Sequence, residues 1–186
     1  MDCINNLQSV GCNMYSLPMK LNAHIQSIYL SPAAGAPMQG VTQAKIDAGL
    51  GIEGDRYALG VGAYSDTKPA KIRHISLIAM AGIETANDWL KAGDEPIFDG
   101  SATRRNIVLE GITANELNAL VGKQFQLGEI LLLGTELCAP CERPAQLLNR
   151  PSFMDAFEGR GGIRAEVLNS GKLQVGNKLL LSTENP

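Results

Sequence analysis

The chain of 186 residues sets 16 Lys and Arg against 19 Asp and Glu, a formal net charge of −3, with 45% hydrophobic and 19% charged residues. That length suits one domain with a sizeable core, and the charge balance gives no electrostatic basis for a nucleic-acid partner. The 4 cysteines form no regular framework, which argues against a disulfide-stapled secreted module and for reduced thiols in a cytoplasmic setting.

The first residues, MDCINNLQSVGCNMYSLPMKLN, lack a cationic start followed by an apolar run, so no signal peptide is expected. Residues 1–22 read as a loosely ordered extension, and residues 23–186 as a single domain. No apolar run approaches the ~18 residues of a membrane span, so no membrane partner is expected.

HIQSIYLSPAAGAPMQGVTQAKI suggests two short strands around a Pro/Gly-rich turn. LGIEGDRYALGVGAYSDTKPAK is glycine-dense and aperiodic, and loops of this length are usually functional or disordered. IRHISLI is a strand pattern. AGIETANDWLKAG places Ile83, Ala86, Trp89 and Leu90 at helical spacing. RRNIVLEGI predicts a strand opening with two arginines, whose alternation would send Arg104 and Asn106 to one face and Arg105 to the other. In TANELNALVG, Thr113 and Glu116 match a capping box, with Gly122 placed to end the helix.

FQLGEILLLGTELC carries enough Leu and Ile for a strand or strand pair, broken at Gly128 and Gly134. PAQLLNRPSFMDAF predicts two helical pieces interrupted at Pro151. IRAEVLNSGKLQVGNKLLL alternates and suggests a hairpin turning at Asn169-Ser170-Gly171, with a further bend at Gly176-Asn177. Many short strands with a few helices indicate a β-rich mixed α/β fold of barrel-like form.

The chemistry concentrates in LCAPCERPAQLL, where Cys138 and Cys141 are spaced C-x-x-C. A structural zinc site needs four ligands, and Cys3, Cys12, His24 and His74 make no second clip. A thioredoxin-type redox couple needs a surrounding βαβ pattern that is missing. Inert burial competes with both, because free cysteine packs as a small hydrophobe. Against burial stand Pro140, Glu142 and Arg143 around Cys141, which suggest an accessible thiolate near positive charge, a soft ligand for a transition metal.

Basic groups recur elsewhere. Arg56 sits among Gly51, Gly54, Gly60 and Gly62, where converging backbone amides and a guanidinium suit an anion. Lys71-Ile72-Arg73-His74 and Arg104-Arg105-Asn106 open strands, and Arg160 and Arg164 flank a Gly-Gly pair. In an acidic chain such clusters can focus positive potential in one cleft. With His24 and His74 as the only histidines, a nucleophile–His–Asp hydrolase has little to work with.

Six segments taken in order, GLGIEGDRY, RHISL, TRRNIVLEGI, VGKQFQLGEILL, LCAPCERP and GGIRAEVLNSGKLQVGNKL, resemble the molybdenum cofactor sulfurase C-terminal (MOSC) domain in its stand-alone bacterial form, from about Ile25 to Leu180. The resemblance implies a β-barrel with a few peripheral helices that binds the pterin-based molybdenum cofactor, molybdopterin with its metal. It places the catalytic, molybdenum-ligating cysteine at Cys141, with Cys138 in support. Cofactor-binding positions implied with it are Gly54, Asp55, Arg56, Arg73, Arg104, Arg105, Asn106 and Arg143. Relatives that reduce N-hydroxylated compounds imply an oxidoreductase with a small N-hydroxylated substrate and an external electron donor. The alternative is a sulfur-carrier or cofactor-delivery module bearing a persulfide on Cys141, supplied by a separate sulfur-donor protein. Two departures stand out: Tyr57 follows Arg56 where relatives often have histidine, and Gly176-Asn177 replaces a common Gly-Asp.

Overall fold

The computed structural model describes residues 22–181, so the expected extension over residues 1–22, with Cys3 and Cys12, lies outside the described residues apart from Asn22. The chain opens with β1 (His24–Leu30), β2 (Gln39–Val41), β3 (Gln43–Asp47) and β4 (Gly51–Ile52). The first segment therefore holds three strands where two were expected, because the chain breaks at Thr42 and β2 and β3 join different sheets. Next come β5 (Ile75–Ala79), α1 (Met80–Ala92), a 3-10 turn at Ser101–Thr103 and β6 (Ile107–Glu110). The second half holds α2 (Ala114–Asn118), β7 (Gln124–Leu127), β8 (Ile130–Leu137), α3 (Glu142–Leu148), α4 (Phe153–Ala156), β9 (Ile163–Val167), β10 (Gly171–Gln174) and β11 (Leu179–Leu181).

Eight strands form one sheet in the order β11-β7-β8-β9-β5-β6-β1-β2, and β10-β3-β4 form a second. Neighbours are antiparallel except β5 and β6, which the α1 crossover makes parallel. The large sheet curls until its far flank meets β1. Ile25 N donates to Asn177 O at 2.9 Å, Gly176 N to Ile25 O at 2.8 Å and Leu179 N to Ala23 O at 2.9 Å. This curling gives the barrel-like, sheet-dominated mixed α/β architecture expected from the sequence, with β2 left as the terminal strand of the large sheet.

β5 is buried on both faces, which is why IRHISLI reads as a nearly continuous apolar run. Leu77, Ile107, Leu109, Phe125, Leu132 and Ile163 turn into the barrel. On the other face Ile78 and Val108 meet Ile83, Ala86 and Leu90 of α1 and a trio of phenylalanines. Phe153 lies 4.7 Å from Phe157 and 5.4 Å from Phe98, ring centre to ring centre. Each such side chain contributes roughly 1.5–3 kcal/mol by burial. Asn87 fastens the loop to α1, exchanging two 2.8 Å hydrogen bonds with the Phe98 backbone. Trp89, although at helical spacing, points outward and is 47% exposed.

The capping box at Thr113 is present: Glu116 N donates to Thr113 Oγ1 at 3.2 Å and Thr113 N to Glu116 Oε2 at 2.8 Å. The helix is shorter than its pattern, ending at Asn118, and Gly122 at φ 80° turns the chain onward.

The expected terminal hairpin does not form. β9 lies between β8 and β5, β10 pairs with β3, and β11 pairs with β7. Asn169 is used to hold the β7–β8 turn, accepting from Leu131 N at 2.6 Å and donating to Glu129 O at 3.0 Å. Its side chain is thus committed across the sheet, and the strand after it crosses to the second sheet. Among the described residues no helix is long and apolar enough to cross a membrane.

Candidate functional site

Strand register brings the scattered basic segments to one place. Ser76 lies opposite Arg164, and Asn106 N donates to Ser76 O at 3.0 Å, so the approaches to β5, β6 and β9 share one row. The loop before β5 folds over this row, and the turn after β8 walls it. Between them runs a cleft lined by Arg56, Arg73, Arg104, Arg105, Arg143 and Arg164, two tyrosines, Tyr57 and Tyr64, and both Cys138 and Cys141. Among the described residues no aspartate or glutamate lines it.

Beneath the cleft is a saturated polar hub. Asp55, 1% exposed, accepts from Ser31 N (3.1 Å), Tyr57 N (3.1 Å), Arg56 Nη1 (3.0 Å) and Asn106 Nδ2 (3.1 Å). Asn106 also donates to Tyr29 O at 3.1 Å and accepts from Ser76 N and Oγ at 3.1 and 2.8 Å. Both amide hydrogens and the carbonyl oxygen of Asn106 are thereby used. Asp55 holds the loop and strand ends from beneath the cleft, whereas Asn106, its amide bonded to the same hub, also lines the cleft. Gly54, at φ 81°, sets the turn into Asp55 and does not line the cleft.

The arginines divide by how much bonding capacity they keep. Arg105 is spent on backbone carbonyls, donating from Nε to Gly161 O (2.8 Å), Nη1 to Thr103 O (3.1 Å) and Nη2 to Cys138 O (3.2 Å). Arg56 is held by Asp55 and by Arg104 O at 3.3 Å. Arg164 is paired with Glu136, which Lys71 also reaches at 2.9 Å. Arg104 donates to Ala36 O at 3.0 Å. Its backbone is left-handed, φ 59°, and sits at the end of the 3-10 turn before β6 begins. The strand alternation expected for Arg104 and Arg105 therefore does not apply.

Two arginines remain open. Arg143 makes no side-chain hydrogen bond or ion pair among the described residues. Arg73 Nε and Nη1 are buried with no partner among the described residues, while its guanidinium stacks 5.0 Å from the Tyr64 ring and 5.9 Å from that of Tyr57. Unpartnered buried donors are costly, by about 1–3 kcal/mol each, and invite an anionic acceptor. Arg104 is held below the usual arginine range: burial is the larger cause, and the neighbouring guanidinium charges of Arg56 and Arg143 add to it.

Cys141 is half-buried, extended, and immediately precedes α3, while Cys138 is buried at 3% exposure. The Cys138 backbone is fixed, its N donating to Gly162 O at 2.8 Å. Tyr64 stands beside Cys141. Burial raises its phenol above the usual value, and the charge and hydrogen bonding of Cys141 add to this while Arg143 opposes it. Tyr64 keeps its proton, and so can donate to sulfur or to a bound ligand. Sequence reasoning missed Tyr64 and the lining role of Arg164. A tyrosine in an aperiodic loop carries no signal of its own, and the sequence shows Arg164 only as a charge flanking a Gly-Gly pair. Among the described residues no three His, Cys, Asp or Glu side chains gather to hold a metal ion.

Residues 70–180 match the family model described as the MOSC domain. The chain belongs to the MOSC domain family. Solved structures share the fold: the YuaD protein from Bacillus subtilis has a TM-score of 0.69 at 19% identity, covering 85% of this chain and 94% of that one. YiiM from Geobacillus stearothermophilus gives 0.63 at 17%, covering 86% and 75%, and YiiM from Escherichia coli gives 0.60 at 18%, covering 90% and 72%. No curated protein sequence matches the chain. In this MOSC domain the motifs GDRY, RHISL, RRN and CAPCER, distant in sequence, all reach the arginine-lined cleft.

Proposed function

We propose that this MOSC protein binds the molybdenum cofactor in the arginine-lined cleft and reduces N–O bonds of small N-hydroxylated molecules in the cytoplasm. The observation that carries the reading is the pairing of a half-buried thiol at Cys141 with unpartnered buried donors on Arg73 in one acid-free cleft. A phosphorylated, sulfur-rich cofactor needs both a soft protein ligand and guanidinium donors for its phosphate. The residues present fit that group.

In this reading Cys141 supplies the protein's sulfur ligand to molybdenum. Arg73 and Arg143 would hold the phosphate, and Arg104 would add positive charge to the same cleft. Arg105 and Cys138 fix the wall on which Cys141 stands. The cofactor supplies the two-electron redox change. Tyr64, protonated and beside Cys141, offers an O–H to the substrate's oxygen. The reaction breaks the N–O bond, takes two electrons from an external donor protein and two protons, and yields the amine or amidine and water.

The test is reductive turnover of an aromatic amidoxime by cofactor-loaded protein with a chemical electron donor. The reading predicts conversion to the amidine that Cys141→Ala abolishes. Turnover retained in that variant overturns it. A persulfide on Cys141 in protein without molybdenum, seen by intact-mass spectrometry, would favour the sulfur-carrier alternative.

A further inference from the structure

A second cavity, of about 420 Å³, lies against the other side of the Cys138 segment. Its volume falls within the range of organic-ligand pockets. Its walls are Leu137, Ala139, Pro140 and Met154, and its charged lining residues are Asp155 and Glu158, with no lysine or arginine among the described residues. The sign of the charge is thus opposite to that of the arginine cleft, although Cys138 and the 3.2 Å bond from Arg105 to its carbonyl belong to both walls.

Three observations indicate what this cavity takes. Leu137 and Met154 are 54% and 37% exposed. A single exposed apolar side chain is ordinary, but these two face one concavity. The carboxylates of Asp155 and Glu158 form no hydrogen bond or ion pair among the described residues. Asn118 Oδ1, also in the lining, is buried without a partner among the described residues. Asn118 Nδ2 donates to Gly159 O at 2.9 Å, which fixes the amide's orientation, so the atom left over is an acceptor.

The floor is backbone. A Cβ at Gly161 would lie 2.1 Å from Cys138 O, and one at Gly162 1.9 Å from Leu77 O, so no side chain can fill the space there.

We propose that this cavity binds small organic cations that carry an apolar body, of the amidinium or guanidinium type. The apolar walls accommodate the body. A planar fork of N–H donors matches carboxylates and an amide oxygen, and such charge-assisted hydrogen bonds are the strong ones. The site does not depend on the cofactor, and its occupant would rest across the cysteine wall from Cys141.

The probe is benzamidine, titrated calorimetrically into the full chain and mapped by amide chemical shifts, with benzamide and benzoate as neutral and anionic controls. Saturable benzamidine binding is expected, with shifts confined to Asn118 and residues 137–140 and 154–162. It should weaken roughly tenfold or more in Asp155→Asn/Glu158→Gln. Both carboxylates are exposed, and thermal melts of the double variant verify that the fold is kept. Absence of saturable benzamidine binding, equal binding of benzoate or benzamide, affinity unchanged in the double variant, or shifts mapping to the arginine cleft would each overturn the proposal. Because the assay needs no molybdenum, its failure is separate from failure of the cofactor reading.

Discussion

Asp55→Ala should be among the most damaging single changes to this protein. The carboxylate accepts from Ser31 N, Tyr57 N, Arg56 Nη1 and Asn106 Nδ2, and neither it nor Arg56, with side chains 2% and 8% exposed, has water to fall back on. Removing one partner of a buried pair leaves an uncompensated charge, at about 3–5 kcal/mol. Arg56 keeps bonds to Arg104 O and Met38 Sδ, both at 3.3 Å, which favours the lower half of that range. At ~2–4 °C per kcal/mol for a chain of this size, melting should fall by roughly 6–16 °C. Urea unfolding of Asp55→Ala, Arg56→Met and the double variant checks the cause. If the stranded arginine is responsible, the double variant loses less than the sum of the singles, by about 1–3 kcal/mol. A loss under ~1 kcal/mol for Asp55→Ala, or strict additivity, would refute the account of the hub.

Arg73→Met should leave stability unchanged or raise it by up to about 1 kcal/mol, since it removes unpartnered buried donors, while weakening retention of a phosphorylated pterin; denaturant titration and cofactor content report the two effects. His74 accepts from Val167 N at 3.2 Å through Nδ1, and burial lowers its pKa below 6.5 against the opposing charge of Glu166. Its stabilising contribution is therefore complete above pH 6.5 and lost as pH falls through the lowered folded value, so His74→Gln should flatten the melting-temperature profile on the acid side. Gly162→Ala forces a Cβ to 1.9 Å from Leu77 O at φ 84° and should cost more than ~2 kcal/mol by urea unfolding. Thr113→Ala removes the capping box and should cost about 1 kcal/mol in the same assay.

What the sequence revealed was local. Thr113 and Glu116 lie within one turn, so their pattern and their bonds coincide. Pro151 separates α3 from α4 because proline cannot continue a helix. Partner choice was not legible: the alternation of β9 and β10 is real, but nothing in it says that one joins β8 and β5 while the other joins β3. The same limit applied to the site. Asp55 and Asn106 carry donors and acceptors suited to a ligand, yet the fold consumes all of that capacity internally. Arg73 and Arg143 look no different from Arg105 in sequence. The difference is that Arg105 has three carbonyls within reach and Arg73 has none.

The most direct measurement is the molybdenum-to-protein ratio after expression in a host that makes the cofactor, for wild type, Cys138→Ala and Cys141→Ala. A thiol at Cys141 that holds the metal predicts molybdenum retained in wild type, largely retained in Cys138→Ala and lost in Cys141→Ala. Equal molybdenum in wild type and Cys141→Ala, or none in wild type, would contradict it.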